Sequence, residues 1–125
     1  MTATPMDDAK VRQYLADNGY PQHVVREGLA GLLRRWEAFV EEVERGYGFT
    51  IFDYRNDLDG RAILALAGFD SAALRALDER FRRCLERPEV RVWESAPGDP
   101  WWDFGIPRNA GEDLLEDLRG EGILP

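Results

Sequence analysis

The stretch PQHVVREGLAGLLRRWEAFVEEVER, residues 21–45, decides the fold class. Its apolar residues recur at steps of three and four, which is the spacing of one face of an α-helix. These residues are Val25, Leu29, Leu32, Trp36, Phe39 and Val43, flanked by Val24, Leu33 and Val40. A helix of about 24 residues is roughly 36 Å long. We therefore predict one long amphipathic helix from Pro21 to Arg45, terminated by Gly46.

Four further helices are predicted from polar start signals, apolar spacing, and glycine or proline stops. The start signals of three of them are Thr4 with Pro5 and Asp7, Thr50 with Asp53, and Asp70 or Ser71. The corresponding stops are Gly19 with Pro21, Gly68, and Pro88. The last helix is short, follows Asn109 in an N-x-x-E start with Glu112, and ends at Gly120.

A short β segment is predicted between the last two helices. In EVRVWES, residues 89–95, valines alternate with charged Arg91, as in an extended strand. Pro97, Gly98 and Pro100 then predict a turn, and WWDFGI, residues 101–106, is the available partner strand. The sequence thus predicts a mainly α, single-domain helical bundle over residues 1–125. It has four longer helices, a short C-terminal helix and a small β-hairpin near residues 90–106.

The charge is acidic and concentrated near the C-terminal end. The formal net charge is −8, and residues 94–125 contain eight acidic residues but two arginines. Nucleic acids and anionic membrane surfaces attract cationic patches, so we expect neither as a partner. The N-terminal residues lack the pattern of a secretory signal, and one cysteine, Cys84, fits a reducing compartment. We therefore expect a cytoplasmic protein.

The residues of common catalytic and metal sites are scarce. His23 is the one histidine, so an H-E-x-x-H zinc site and a di-iron bundle of repeated Glu-x-x-His are excluded. His23 lies in the first turn of the long helix, where a solvated surface group is expected more than a general base. Cys84 lies next to an apolar helix stripe, where burial as a small hydrophobe is the expected role. Its arginine neighbours would favour a reactive thiolate if it were exposed. We expect no cofactor, and an interaction protein more than an enzyme.

A calcium loop is suggested and then excluded by RNDLDGRAIL, residues 55–64. Asp57, Asp59 and Gly60 match the third, fifth and sixth positions of such a loop. However, Arg55 and Leu66 occupy the first and twelfth positions, where carboxylate ligands are required. The two aspartates are therefore predicted to lie in a helix without a metal.

Aromatic residues are concentrated among acidic ones near the C-terminal end. Neighbouring residues of a strand face opposite sides, so one of Trp101 and Trp102 is predicted to be exposed. Exposed tryptophan with an acidic rim is typical of a surface that binds a basic protein. The predicted partner-binding residues are Trp93, Asp99, Trp101, Trp102, Asp103, Phe104, Glu112 and Asp113. The alternative is that both indoles cover the open end of the helical core.

In size, acidity and lack of a catalytic motif, the chain resembles small bacterial immunity and antitoxin-type proteins. Such a compositional resemblance implies neutralisation of a basic toxin by occlusion of its active site. A second hypothesis is an anionic-ligand-binding or enzymatic site between the second and third helices. Its predicted lining is Trp36, Tyr47, Tyr54, Arg55 and Arg61. A third is a homo-oligomer, such as a homodimer, formed through the long helix.

Overall fold

The computed structural model describes residues 6–125. Its helices are α1 (Asp8–Asp17), α2 (Gln22–Arg45), α3 (Ile51–Leu66), α4 (Ala72–Arg83) and α5 (Glu112–Gly120). Two antiparallel strands, β1 (Leu85–Arg91) and β2 (Phe104–Pro107), lie between α4 and α5. The predicted mainly α fold, with its short last helix and small hairpin, is confirmed. No helix in residues 6–125 combines the length and apolarity needed to cross a membrane.

The long helix α2 supplies the centre of the core, because α1, α3 and α4 all pack against it. The Phe39 ring lies at its middle, with ring centroids 5.1 Å from Trp36 and 5.2 Å from both Tyr54 and Phe81. Edge-to-face and offset aromatic pairs at such distances add to the energy of burial. One apolar stripe of α2 therefore joins three other helices into a single core.

Helix α2 is interrupted at Gly28, where the sequence predicts continuous helix. Gly28 has φ 59° and ψ −143°, a conformation that glycine alone adopts readily. The Leu29 amide donates to the Asp8 carboxylate at 2.9 Å, in place of an intrahelical acceptor. A Cβ atom at residue 28 would lie 2.3 Å from that same carboxylate oxygen. Asp8 of α1 thus caps the second part of α2.

The helix starts are partly as predicted. The Thr50 and Asp53 side chains form a reciprocal capping box at α3, as predicted, and Ser71 rather than Asp70 caps α4. Asp7 caps α1 by accepting from the Lys10 amide, whereas Thr4 and Pro5 lie outside the described residues.

The predicted start of α5 at Asn109 is wrong, because Gly111 occupies the N-cap position. Its amide donates to the Tyr47 carbonyl at 2.7 Å, and a Cβ there would lie 2.6 Å from that oxygen. Only glycine permits this approach, so a tertiary contact replaces the local cap.

The hairpin has different bounds from those predicted. Leu85 pairs with Pro107 and Arg91 with Phe104, with a bulge between them. Arg87 has φ 54° inside this bulge, so Pro88 lies within the irregular strand and does not close α4. Residues 101–103 form one turn of 3₁₀ helix instead of strand, since the Asp103 amide donates to the Pro100 carbonyl.

Candidate functional site

Two of the predicted partner-binding residues lie in the interior. Trp102 is 6% exposed, and its indole N–H donates to the Ser95 hydroxyl at 2.9 Å. Asp103 is 0% exposed and accepts from the Ser95 amide at 2.9 Å and hydroxyl at 3.0 Å. Burial raises the pKa of Asp103, and the Ser95 hydrogen bonds oppose that rise. These side chains fix residues 95–103 against the core.

Arginine side chains cover all four aromatic rings of the predicted surface. The guanidinium carbons lie 4.2 to 5.1 Å from the ring centroids, within cation–π range. The pairs are Arg55 with Trp93, Arg61 with Trp102, Arg82 with Trp101, and Arg91 with Phe104. Arginine therefore occupies faces that the sequence interpretation left for a partner.

The half-buried aromatic residues have further internal contacts. The Trp93 indole N–H donates to the Asp59 carboxylate at 2.7 Å. Trp101 lies 5.8 Å from the Phe81 ring of the core, centroid to centroid. The remaining exposed parts of Trp101 and Phe104 line a shallow hollow of about 380 Å³ with Arg82 at its edge. That hollow has an arginine at its margin instead of an acidic rim.

The acidic residues of the predicted surface separate into two groups. Asp99 is paired with Arg91 at 2.5 Å and lies on the turn of the hairpin. Glu112 and Asp113 are exposed in the first turn of α5, where Glu112 has a distant partner, Arg119, at 3.5 Å. The acidic charge is thus not continuous with the tryptophans.

Two exposed phenylalanines lie just before α3 and in its first turn, next to backbone that is hydrogen-bonded to the start of α5. Phe49 is 53% exposed and Phe52 is 70% exposed. The loop that carries Phe49 binds α5 through the Gly111 amide and Tyr47 carbonyl, and the Ile51 amide donates to Asp117 of α5 at 3.0 Å. We define the Phe49–Phe52 surface by one set of exposed residues. They are Phe49, Phe52, Asp53, Glu112 and Asp113.

A groove lies between α2 and α3, as the second sequence hypothesis expects. It has two lobes of about 360 Å³ each, which share Arg35, Asn56 and Asp57 as walls. Of the predicted lining, Trp36 and Arg61 line the first lobe and Tyr47 lines the second.

The other two predicted lining residues do not border this groove. Tyr54 is 1% exposed and belongs to the aromatic core. Arg55 faces another side of α3, where its guanidinium is 2.8 Å from the carboxylate of Glu121, the C-cap residue of α5. The positions of Tyr54 and Arg55 follow from the direction in which α3 presents each side chain. The sequence alone does not specify that direction.

The most perturbed acid of the groove is Asp57. Burial raises the pKa of this carboxyl to about 7, with a further contribution from Asp53 and an opposing one from Arg35. Behind it, the buried Tyr47 hydroxyl has no hydrogen-bond partner among residues 6–125, and burial raises its pKa as well. Asp57 can therefore exchange a proton near neutral pH.

Arg61 is held rigidly at the rear of the first lobe. Asp78 accepts from Arg61 Nε at 3.0 Å and Nη2 at 2.8 Å, and from the Trp36 indole at 3.0 Å. The ring of Trp102 lies on the other face of this guanidinium, at 4.4 Å. Arg61 thus connects the groove to the predicted C-terminal segment, as a structural cation.

Cys84 is the C-cap residue of α4, and the aspartates of the rejected calcium loop lie on a different helix. The half-buried Cys84 thiol donates to the Arg80 carbonyl at 3.3 Å, and burial raises its pKa, which favours the thiol form. Asp57 and Asp59 both lie in α3. Within residues 6–125, no cluster of three or more histidine, cysteine or acidic side chains is suited to hold a metal ion.

Sequence interpretation missed Phe49 and Phe52 as exposed residues and Asp57 as a groove residue. The signal for Phe52 was present, because Ile51, Tyr54 and Leu58 define the inner face of α3 and leave Phe52 on the outer one. The other two depend on how α2 and α3 pack.

Comparison of the chain with protein-family models, curated proteins and solved structures finds no match.

Proposed function

We propose that this protein binds a basic protein through the Phe49–Phe52 surface. The observation that carries this proposal is the pair of exposed phenylalanines, 53% and 70% exposed, beside the acidic first turn of α5. Of the residues predicted from sequence, Glu112 and Asp113 belong to this surface. The tryptophans lie against arginine side chains and are not part of this surface.

Phenylalanine and charge have separate roles in such an interface. Large exposed aromatic side chains are typical anchors of binding energy, since a partner that covers them removes apolar area from water. Acidic residues around them accelerate encounter with a cationic partner and repel acidic competitors. The net charge of −8 adds a long-range attraction for a cationic partner.

A second copy of the chain is a poorer occupant than a basic protein. Two chains of charge −8 repel each other, and a two-fold interface would bring the same acidic residues together. Occlusion of a basic protein is the activity of the immunity and antitoxin-type proteins that the chain resembles in size and acidity. The same proposal includes a cytoplasmic location, since Cys84 is a free thiol.

The test begins with capture of partners from native lysate by the full chain and by two variants, Phe52→Ala and Asp113→Lys. Glu37→Lys is the matched control, since it makes the same charge change on the exposed face of α2. We expect one basic protein to be retained by the wild type and the control and lost by both variants. Loss of a central anchor should weaken binding by about thirtyfold.

Calorimetry with the purified partner completes the test. Raising sodium chloride from about 0.05 to 0.5 M should weaken binding at least about tenfold, because exposed charges are screened. An acidic or neutral partner, or equal binding by all four chains, would contradict the proposal. Light scattering after size-exclusion chromatography separates a homodimer from a monomer, and a dimer abolished by Phe52→Ala would also contradict it.

A further inference from the structure

The charges that line the α2–α3 groove are balanced within the protein, apart from one carboxylate. The balanced pairs are Arg35 with Glu27, Arg45 with Glu42 and Arg61 with Asp78, at N to O distances of 2.7, 2.6 and 2.8 Å. For Asp57, no hydrogen-bond donor or ion-pair partner is found among residues 6–125, and only Arg35 opposes its negative charge from a distance. The groove therefore presents one uncompensated acid.

Aromatic residues line both lobes that Asp57 shares, and Phe49 is the exposed one among them. Trp36 lines the first lobe, while Phe39, Tyr47 and Phe49 line the second. Tyr47 and Phe49 meet edge to face, with ring centroids 5.7 Å apart. A carboxylate among aromatic rings matches an organic cation, whose charge pairs with the acid while its carbon atoms lie against the rings.

We propose that the α2–α3 groove is a binding site for an alkylammonium or guanidinium group, held by Asp57. This site shares Phe49 with the proposed partner interface but requires neither Phe52 nor the acids of α5. The shared chemistry has two sources, a free small amine and the side chain of a lysine or arginine. The volume of either lobe, about 360 Å³, accommodates a head group with a short alkyl chain.

Binding should depend on pH through the ionisation of Asp57. Its pKa is raised to about 7, and a cation pairs with the ionised form. Affinity should therefore be about tenfold greater at pH 8 than at pH 6, from the ionised fractions at the two pH values. Other titratable or charged groups face the groove from each neighbouring element. They are Tyr20 before α2, His23, Arg35, Glu42 and Arg45 of α2, Tyr47 of the connecting loop, and Arg61 of α3. The charge of Asp53 in α3 also acts on Asp57.

The experiment uses n-butylamine as the probe and isotope-labelled full-length protein. Carbon NMR follows the Asp57 carboxyl resonance through a pH titration with and without the amine. Butylamine should lower the pKa of Asp57, and Asp57→Asn should weaken amine binding about tenfold or more, as expected for a lost charge-assisted hydrogen bond. The neutral alcohol 1-butanol should bind at least about tenfold more weakly, since it lacks the charge.

Matched variants separate Asp57 from general electrostatics. Glu37→Gln removes one exposed acid of α2 outside the groove and should leave butylamine affinity unchanged. His23→Gln should retain the pH dependence, because that dependence belongs to Asp57. Equal binding by wild type and Asp57→Asn, equal binding of butylamine and butanol, or displacement of the amine by equimolar Mg²⁺ would each overturn the proposal.

The two sources of the cation are distinguished with a capped lysine, N-acetyl-lysine N-methylamide. A site for protein side chains binds this compound as tightly as butylamine, whereas a site for free amines binds it more weakly. Capture of the basic partner by Asp57→Asn remains a separate readout. Phe52 and Asp113 do not line the groove, so loss of amine binding in Asp57→Asn and loss of partner capture in Phe52→Ala or Asp113→Lys test the two proposals separately.

Discussion

The C-terminal aromatic segment and the start of α3 differ in where their aromatic rings point. Residues 93–104 contain three tryptophans and a phenylalanine, yet each ring lies under an arginine, and Trp102 is 6% exposed. Residues 47–54 contain four aromatic residues in a shorter span, and of these Tyr47 and Tyr54 are buried whereas Phe49 and Phe52 face outward, at 53% and 70% exposed. Aromatic density in the sequence thus does not separate a covered region from an open one, because the packing around each ring decides its exposure.

The acidic side chains of the two regions also differ in whether they are paired within the protein. In the C-terminal segment, acidic side chains form hydrogen bonds and ion pairs within the protein. Asp103 accepts a hydrogen bond from the Ser95 amide, and Asp99 forms an ion pair with Arg91. At the start of α5, Asp113 is exposed as part of the Phe49–Phe52 surface. An acid that is already paired contributes little to a partner, because its field is offset by its own protein.

The largest effect is expected from Trp102→Ala. This side chain fills the core, donates to Ser95 and lies against Arg61, so its removal leaves a cavity and an uncovered cation. We expect the free energy of unfolding to fall by about 4 kcal/mol. Urea denaturation followed by circular dichroism measures this loss. A loss of unfolding free energy below about 1 kcal/mol would mean that Trp102 is a surface residue.

The next effect tests the network beneath Trp102. Asp78→Ala removes the acceptor of both Arg61 and the Trp36 indole, which leaves a cation only 10% exposed without its counterion. Breaking such a pair should cost about 3 kcal/mol of unfolding free energy. Asp70→Ala is the control, since its pair with Arg75 is 65–68% exposed. That control should change stability by less than about 0.5 kcal/mol.

An intermediate effect of opposite sign is expected from Asp57→Asn. The pKa of Asp57 is raised in the folded state from 3.8 to about 7, so protonation favours folding, and this contribution is lost as pH rises through about 7. Asparagine cannot ionise, so the variant should be more stable by about 1–2 kcal/mol at pH 8.

The advantage of Asp57→Asn should disappear below the ordinary aspartate pKa of 3.8, where the carboxyl is protonated in both states. Urea denaturation at several pH values between these limits measures the change. A constant difference between the variant and the wild type across that range would contradict the assignment of Asp57 to a desolvated groove.

The smallest effect on folding is expected from Phe52→Ala. Its ring is 70% exposed, so truncation should change the unfolding free energy by less than about 0.5 kcal/mol. The same variant should lose the partner, which makes Phe52 the opposite of Trp102 in both measurements. Urea denaturation at neutral pH is the readout, and a loss above about 1.5 kcal/mol would mean that Phe52 belongs to the core.

Local patterns account for the parts of the fold that the sequence predicted. The stripe along residues 21–45 and the Thr50 and Asp53 capping box depend on neighbours within a few residues, so both were readable. Gly111 at the start of α5 was not, because its role depends on the Tyr47 carbonyl, 64 residues away in the sequence. The same reason explains why Asn109 was assigned a cap that it does not form.

The candidate site was less predictable than the fold. Arg61 and Trp36 were correctly predicted to line the groove, since both lie on facing helices. Strand alternation predicted that one of Trp101 and Trp102 is exposed, and the 3₁₀ turn over residues 101–103 removes that alternation. Which arginine covers which ring depends on tertiary packing, and nothing in the spacing of residues 55, 61, 82 and 91 specifies it.

The break at Gly28 has a consequence for the order in which the molecule assembles. The Asp8 carboxylate accepts a hydrogen bond from the Leu29 amide, so the second part of α2 is capped only when α1 is docked against it. Amides at the beginning of that part should therefore exchange with deuterium at the rate at which α1 detaches. The cooperative unit is then a helical hairpin whose two members protect each other, and neither is an independent nucleus.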